Sequence, residues 1–130
     1  MYVSASENVN WILNIRGKDL PNSPLVNCKL IISDNGKLYL FINTNKLTKS
    51  SKKYLRNINI YSENQFFQII STFNKKNFCI DKNTCSIFDQ QLIKSKFKII
   101  SDLDPTYDLK SVKNITELKN TMKVHIEDGI

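Results

Sequence analysis

The chain has 130 residues, 41% of them hydrophobic and 24% charged, with three glycines, three prolines and a net charge of +7. That length suits one domain with a real core, and so few glycines and prolines exclude a collagen-like or linker-like chain. The apolar content excludes a disordered segment, and no apolar run approaches the ~18 residues of a membrane span.

Residues 2–5 read as the stub of a strand, and Ser6 is placed to cap a short helix running through Leu13. Residues 14–24 are polar and carry Gly17, Pro21 and Pro24, which makes them a loop. Residues 25–33 and 37–42 flank Asp34-Asn35-Gly36, and Asn-Gly tolerates the positive φ of a tight turn, so they form a hairpin. Residues 46–55 set Leu47, Tyr54 and Leu55 near helical spacing, and residues 57–61 alternate as a short strand. Residues 64–73 place Phe66, Phe67, Ile69, Ile70 and Phe73 on a broad helical face. Phe78-Cys79-Ile80 is a strand that ends in a turn at 81–84; residues 85–94 follow as a helix and 97–101 as a strand. Strands alternating with short helices, plus one hairpin, imply an α/β fold with a mixed sheet of about five to six strands flanked by helices.

The last segment differs. Asn114 is placed to cap a helix that carries Ile115, Leu118, Met122, Ile126 and Ile130 on one stripe. The stripe is still running at Ile130 with no C-cap, so the helix wants a partner. The first strand begins almost at Met1, and both ends read as cut. The opening residues also lack a basic start and a long apolar stretch, which points away from a signal peptide and towards a cytoplasmic chain.

Nearly all the positive charge is lysine; only Arg16 and Arg56 are arginines. Solvated surface lysine is the plain reading, with a stand-alone basic module for nucleic acid or another anion as the alternative. Aromatic residues sit in apolar runs such as 65–70, as core residues do, and are not interleaved with arginine for base stacking. Trp11, in its helical setting, reads as core as well. Cys28, Cys79 and Cys85 lack zinc-site spacing, so free thiols in a reducing compartment account for them. His125 is the single histidine, read as a packing or hydrogen-bonding residue, and Asp81, Asp102, Asp104 and Asp108 read as turn and cap residues. One histidine without a convergent acidic cluster does not build a two-metal hydrolase.

Two stretches carry a family resemblance. Trp11-Ile12-Leu13-Asn14-Ile15-Arg16-Gly17-Lys18-Asp19-Leu20, with Pro24 following, resembles the Trp-Leu-Leu-Asn-Ile-Arg-Gly-x-Asp opening of the middle domain in three-domain Xaa-Pro aminopeptidases (aminopeptidase P). Leu109-Lys110-Ser111-Val112-Lys113-Asn114-Ile115-Thr116-Glu117-Leu118, continuing to His125-Ile126-Glu127-Asp128-Gly129, resembles the junction between that domain and the first catalytic helix. Lys18 departs from the usual small residue, and Glu127 from a position that is commonly basic.

The resemblance implies a creatinase/prolidase N-terminal-like, ribonuclease H-like domain over residues 1–108, with 109–130 as the junction and first helix of the metallopeptidase (pita-bread) domain. It further implies an enzyme that cleaves before a penultimate proline with two divalent metal ions, typically manganese, held by two Asp, one His and two Glu of the catalytic domain. No position here matches those ligands, so by resemblance the chain holds no cofactor and is inactive alone. The partners so implied are the absent catalytic domain, a second copy in a homodimer and a proline-containing peptide, with no membrane. Asn14, Arg16, Gly17 and Asp19 form the turn that the resemblance sets beside the substrate pocket. Arg16 either meets a carboxylate of the peptide or of the catalytic domain, or ties down its own loop through Asp19. Gly17 is expected to take a positive φ.

Overall fold

The structure is a computed structural model and describes residues 1–74 and 76–129. Its centre is the expected hairpin. β2 (Cys28–Ile32) and β3 (Leu38–Ile42) pair antiparallel, with Cys28 opposite Ile42 and Ile32 opposite Leu38. Gly36 alone among the turn residues has a positive φ, at 76°, and its amide donates to Ser33 O at 3.0 Å. The Asn35 carboxamide instead accepts the Lys37 amide at 3.2 Å.

β1 (Tyr2–Val3) joins this hairpin to the parallel part of the sheet. It runs antiparallel to β2 and parallel to β5 (Asn77–Ile80), which in turn pairs in parallel with β6 (Lys98–Ser101). β4 (Asn59–Tyr61) lies parallel to β3, which gives the order β4-β3-β2-β1-β5-β6. The sheet is mixed and six-stranded, as expected, because only β2 and β3 are close enough in sequence for a tight turn. The parallel pairs need crossovers, and short helices supply them.

Strand alternation divides the core between two faces. On one face Tyr2, Ile31, Phe41, Phe78 and Ile80 pack with α3 (Phe66–Ser71) and α4 (Ile87–Lys94), through Phe66, Ile70 and Ile93. On the other Val3, Cys28, Leu30, Leu40 and Ile42 pack with Val9 and Leu55 from the region of α1 (Ser6–Ile12) and α2 (Lys49–Tyr54). The aromatic residues of the first face touch one another; Phe41 and Phe66 meet edge to face at 5.1 Å between ring centroids.

Several local expectations shift. Ser6 is the first residue of α1 and not its cap: its hydroxyl donates to Cys28 O at 3.0 Å and accepts the Cys28 amide at 3.2 Å. The helix expected over 46–55 is shorter, because the Thr48 hydroxyl accepts the Ser51 amide and starts α2 at Lys49. The helix expected over 64–73 opens as a 3-10 turn, Glu63–Gln65, held by a Ser62/Gln65 capping box, and Phe67 lies exposed. Trp11 is also exposed and is not a core residue.

After β6 the chain forms α5 (Thr106–Ser111), then α6 (Ile115–Asp128) behind an Asn114/Glu117 capping box. α6 runs to Asp128, and the Gly129 amide donates to His125 O at 3.1 Å, an i to i−4 bond that continues the helical ladder; Gly129 does not take the left-handed conformation of a glycine cap. No α6 residue is buried, and Ile115, Leu118, Met122 and Ile126 are all exposed. Ile130 lies outside the described residues. No described helix is long and apolar enough to cross a membrane.

Candidate functional site

The loop that follows α1 is built rather than slack. α1 ends in a Schellman arrangement: Asn14 donates to Trp11 O at 3.1 Å and Ile15 to Asn10 O at 3.0 Å. That geometry needs a left-handed residue, and Asn14 provides it with φ 47°. Buried Asn10 then holds the far limb. Its Nδ2 donates to Val26 O at 2.8 Å and its Oδ1 accepts the Val26 amide at 3.1 Å, as a neighbouring strand would.

The near limb lies on residues 24–27. Gly17 donates to Pro24 O at 3.2 Å and Asp19 to Leu25 O at 3.0 Å. The Asp19 carboxylate accepts the Lys46 ammonium at 2.7 Å and the Asn27 amide at 2.8 Å. Lys46 first, and the Asn27 amide second, hold that carboxyl below its ordinary range. Gly17 is required for a reason other than the expected one, since its φ is not positive. A Cβ there would sit 2.6 Å from Val26 Cβ and 3.0 Å from its backbone nitrogen.

Arg16 does not reach Asp19. Its Nη1 donates to its own neighbour, Ile15 O, at 2.8 Å, and the side chain is exposed. Between this loop and α2 lies a cavity of about 310 Å³, floored by Val26, Ile42, Leu47 and Leu55 and edged by Arg16 and Lys46. Its edge also carries Lys18 and the Asp19 carboxylate that pairs with Lys46, so an apolar floor meets a mixed, charged rim. The structure therefore brings Asn14, Arg16, Gly17 and Asp19 into one turn, from which the exposed Arg16 guanidinium presents a planar donor fork.

Sequence reasoning missed the buried polar residues. Asn8, Asn10, Asp81, Asp89, Asp104 and Thr106 are all buried. The two asparagines carried a signal, because asparagine is a poor helix former and two within α1 need another reason to be there. Asp81 and Asp104 do act in turns, as expected, accepting the Asn83 amide at 2.9 Å and the Thr106 amide at 2.9 Å respectively. They are also linked: the Asp104 amide donates to Asp81 Oδ2 at 3.1 Å.

Two catalytic metal ions do not fit the described residues. The described residues contain no group of three or more His, Cys, Asp or Glu that could hold one. The Asp81 and Asp104 oxygens are taken by N–H donors, and the His125 ring on α6 sits 2.9 Å from Thr121 O. Cys28, Cys79 and Cys85 are free thiols.

The profile of the creatinase/prolidase N-terminal domain matches residues 1–117. The chain belongs to that family. Similar proteins are the Xaa-Pro aminopeptidase ApepP of Drosophila melanogaster, 29% identical over all of this chain and 22% of its own length, and Xaa-Pro aminopeptidase 1 of Dictyostelium discoideum, 27% identical over 100% and 21%. The chain thus spans about a fifth of the length of the relatives it matches. Among solved structures, an X-prolyl aminopeptidase of Caenorhabditis elegans, described as a cytosolic enzyme with a di-nuclear active site, shares the fold. Its TM-score is 0.70 at 21% identity, over 95% of this chain and 21% of that one.

Proposed function

We propose that this chain works as the non-catalytic domain of a cytoplasmic Xaa-Pro aminopeptidase, contributing scaffold, substrate gating and subunit contacts but no chemistry of its own. Residues 1–108 form that domain, and 109–130 lead into a separate metal-binding domain that holds two divalent ions, manganese being the expected metal. The observation that carries this reading is the match of essentially the whole chain to about a fifth of Xaa-Pro aminopeptidases, in a fold without a metal-binding cluster among its described residues.

Within that enzyme the 14–19 turn is the gating element. Its backbone is fixed by Asn10, Asn14 and Gly17, so the exposed Arg16 guanidinium is presented from a rigid support. A planar donor fork on a rigid turn suits a carboxylate, either of the peptide or of the catalytic domain. The exposed stripe of α6 supports a docking contact with that domain or with a second copy.

The test is an assay of the 130-residue chain with a Xaa-Pro peptide and manganese. No release of the N-terminal residue is expected. Clear turnover would overturn the reading.

A further inference from the structure

α5 is held to the body of the fold in an unusual way. Its only buried residue is Thr106, while Tyr107 and Leu109 are exposed, so apolar packing does not secure it. What joins it to the rest is polar. The Thr106 amide donates to Asp104 Oδ1 at 2.9 Å, and Asp104 Oδ2 accepts Asn8 Nδ2 of α1 at 2.7 Å. Asp104 is itself moored to the end of β5, since its amide donates to Asp81 Oδ2 at 3.1 Å. At the far end of α5 the Lys110 ammonium donates to Asn8 Oδ1 and lies 4.9 Å from the Tyr107 ring centroid. The Tyr107 hydroxyl donates to Glu7 Oε1 at 3.4 Å.

Asn8 is thus gripped at both ends of its carboxamide by α5 and the residue that introduces it. Asn8 is fully buried and Asp104 is 2% exposed, so these bonds face little competition from water. α6 follows α5 after three residues and buries nothing of its own. Among the described residues no α6 side chain is buried, so α5 and that short connection set where α6 points.

We infer that Asn8, Asp104 and Lys110 form a polar clasp that fixes α5 on α1 and thereby sets the direction in which α6 leaves the sheet. Because α5 lacks an apolar anchor, the clasp is separable from the core: breaking it frees α5 and α6 and leaves the sheet folded. Its use rests on the proposed function, in which α6 leads to a second domain and its direction aligns the two. Asp104 and Lys110 are then positioning residues.

The test is made on the 130-residue chain with spin labels at Ser50→Cys in α2 and Lys119→Cys in α6, on a Cys79→Ser background. Electron–electron resonance then reads the distance distribution between α2 and α6. A single narrow distribution is expected in the parent, broadened at least twofold by Asp104→Ala and by Lys110→Met, and kept narrow by Lys110→Arg. The melting temperature of Lys110→Met stays within a few degrees of the parent. If Asp104→Ala does not fold, Lys110→Met decides alone, because Lys110 is not a core residue. A Lys110→Met distribution as narrow as the parent's, or a parent that is already broad, overturns the clasp. Neither result depends on peptide hydrolysis, so failure here is distinct from failure of the proposed function.

Discussion

The Tyr2 hydroxyl donates to Asp89 Oδ2 at 2.9 Å, joining the first strand to α4 across 87 positions of sequence. Lys29 donates to the same oxygen at 2.7 Å, so one buried carboxylate is shared by a phenol and an ammonium. Tyr2→Phe keeps the ring against Phe66 and Phe78 but removes one donor from a buried charge. A loss of about 1.5–3 kcal/mol is expected, read by urea unfolding. A variant as stable as the parent would show that Lys29 alone satisfies Asp89.

Alkaline pH lowers stability. Burial, and then the Asp89 charge, pushes the Tyr2 phenol above its ordinary value of 10.0. Burial also raises the Cys28 thiol to about 12 and the Cys85 thiol to about 11, from an ordinary 9.0. The unfolded chain therefore releases protons first, the thiols from pH ~9 and the phenol from pH ~10, while the folded chain retains them. Stability from these groups is intact below pH ~9 and falls above it, by up to about 1.4 kcal/mol per pH unit for each group in its window. Flat urea midpoints between pH 8 and 11 would contradict this.

Two glycines give contrasting results on mutation to alanine. At Gly17 the new Cβ meets Val26 Cβ at 2.6 Å and its backbone at 3.0 Å, so one limb of the loop must shift. A loss of about 1–3 kcal/mol is expected there. At Gly36 the space is open, and only the φ of 76° opposes a side chain, costing about 1–2 kcal/mol. Thermal melts compare the two. Gly17→Ala also perturbs the amides of residues 24–27 in NMR spectra, whereas Gly36→Ala leaves them in place.

Asn114→Ala removes half of the α6 capping box, in which Asn114 Oδ1 accepts the Glu117 amide at 2.9 Å. About 1 kcal/mol of helix stability is lost. Because α6 buries nothing, the loss appears as lower helicity of residues 115–128 and not as a lower melting temperature. Carbon chemical shifts separate the two, and a lowered melting temperature with intact α6 shifts would sink the idea.

Arg16→Ala tests the proposed gating role of the 14–19 turn, in the full-length enzyme of which this chain is proposed to be a domain. Arg16 bonds only Ile15 O, so its removal spares the fold, with a change in stability below about 0.5 kcal/mol. The Michaelis constant is expected to rise about tenfold, the loss of one charge-assisted contact. Unchanged kinetics with a lowered melting temperature would return Arg16 to a structural role.

Much of this protein was determined by sequence alone, because its signals are local. Asn35-Gly36 between two apolar runs makes the central hairpin, and Asn114 starts α6. The Trp11–Asp19 stretch carries the family resemblance that the match over residues 1–117 bears out. Tertiary structure decided what depends on distant partners. Ser6 serves Cys28 and not its own helix, and Gly17 is needed for its nearness to Val26 and not for its φ. Asp19 chooses Lys46 over Arg16, and Asn8 meets Asp104 across 96 positions. Periodicity and caps act over one or two turns of chain, whereas a buried polar group takes whichever partner the folded sheet brings within ~3 Å.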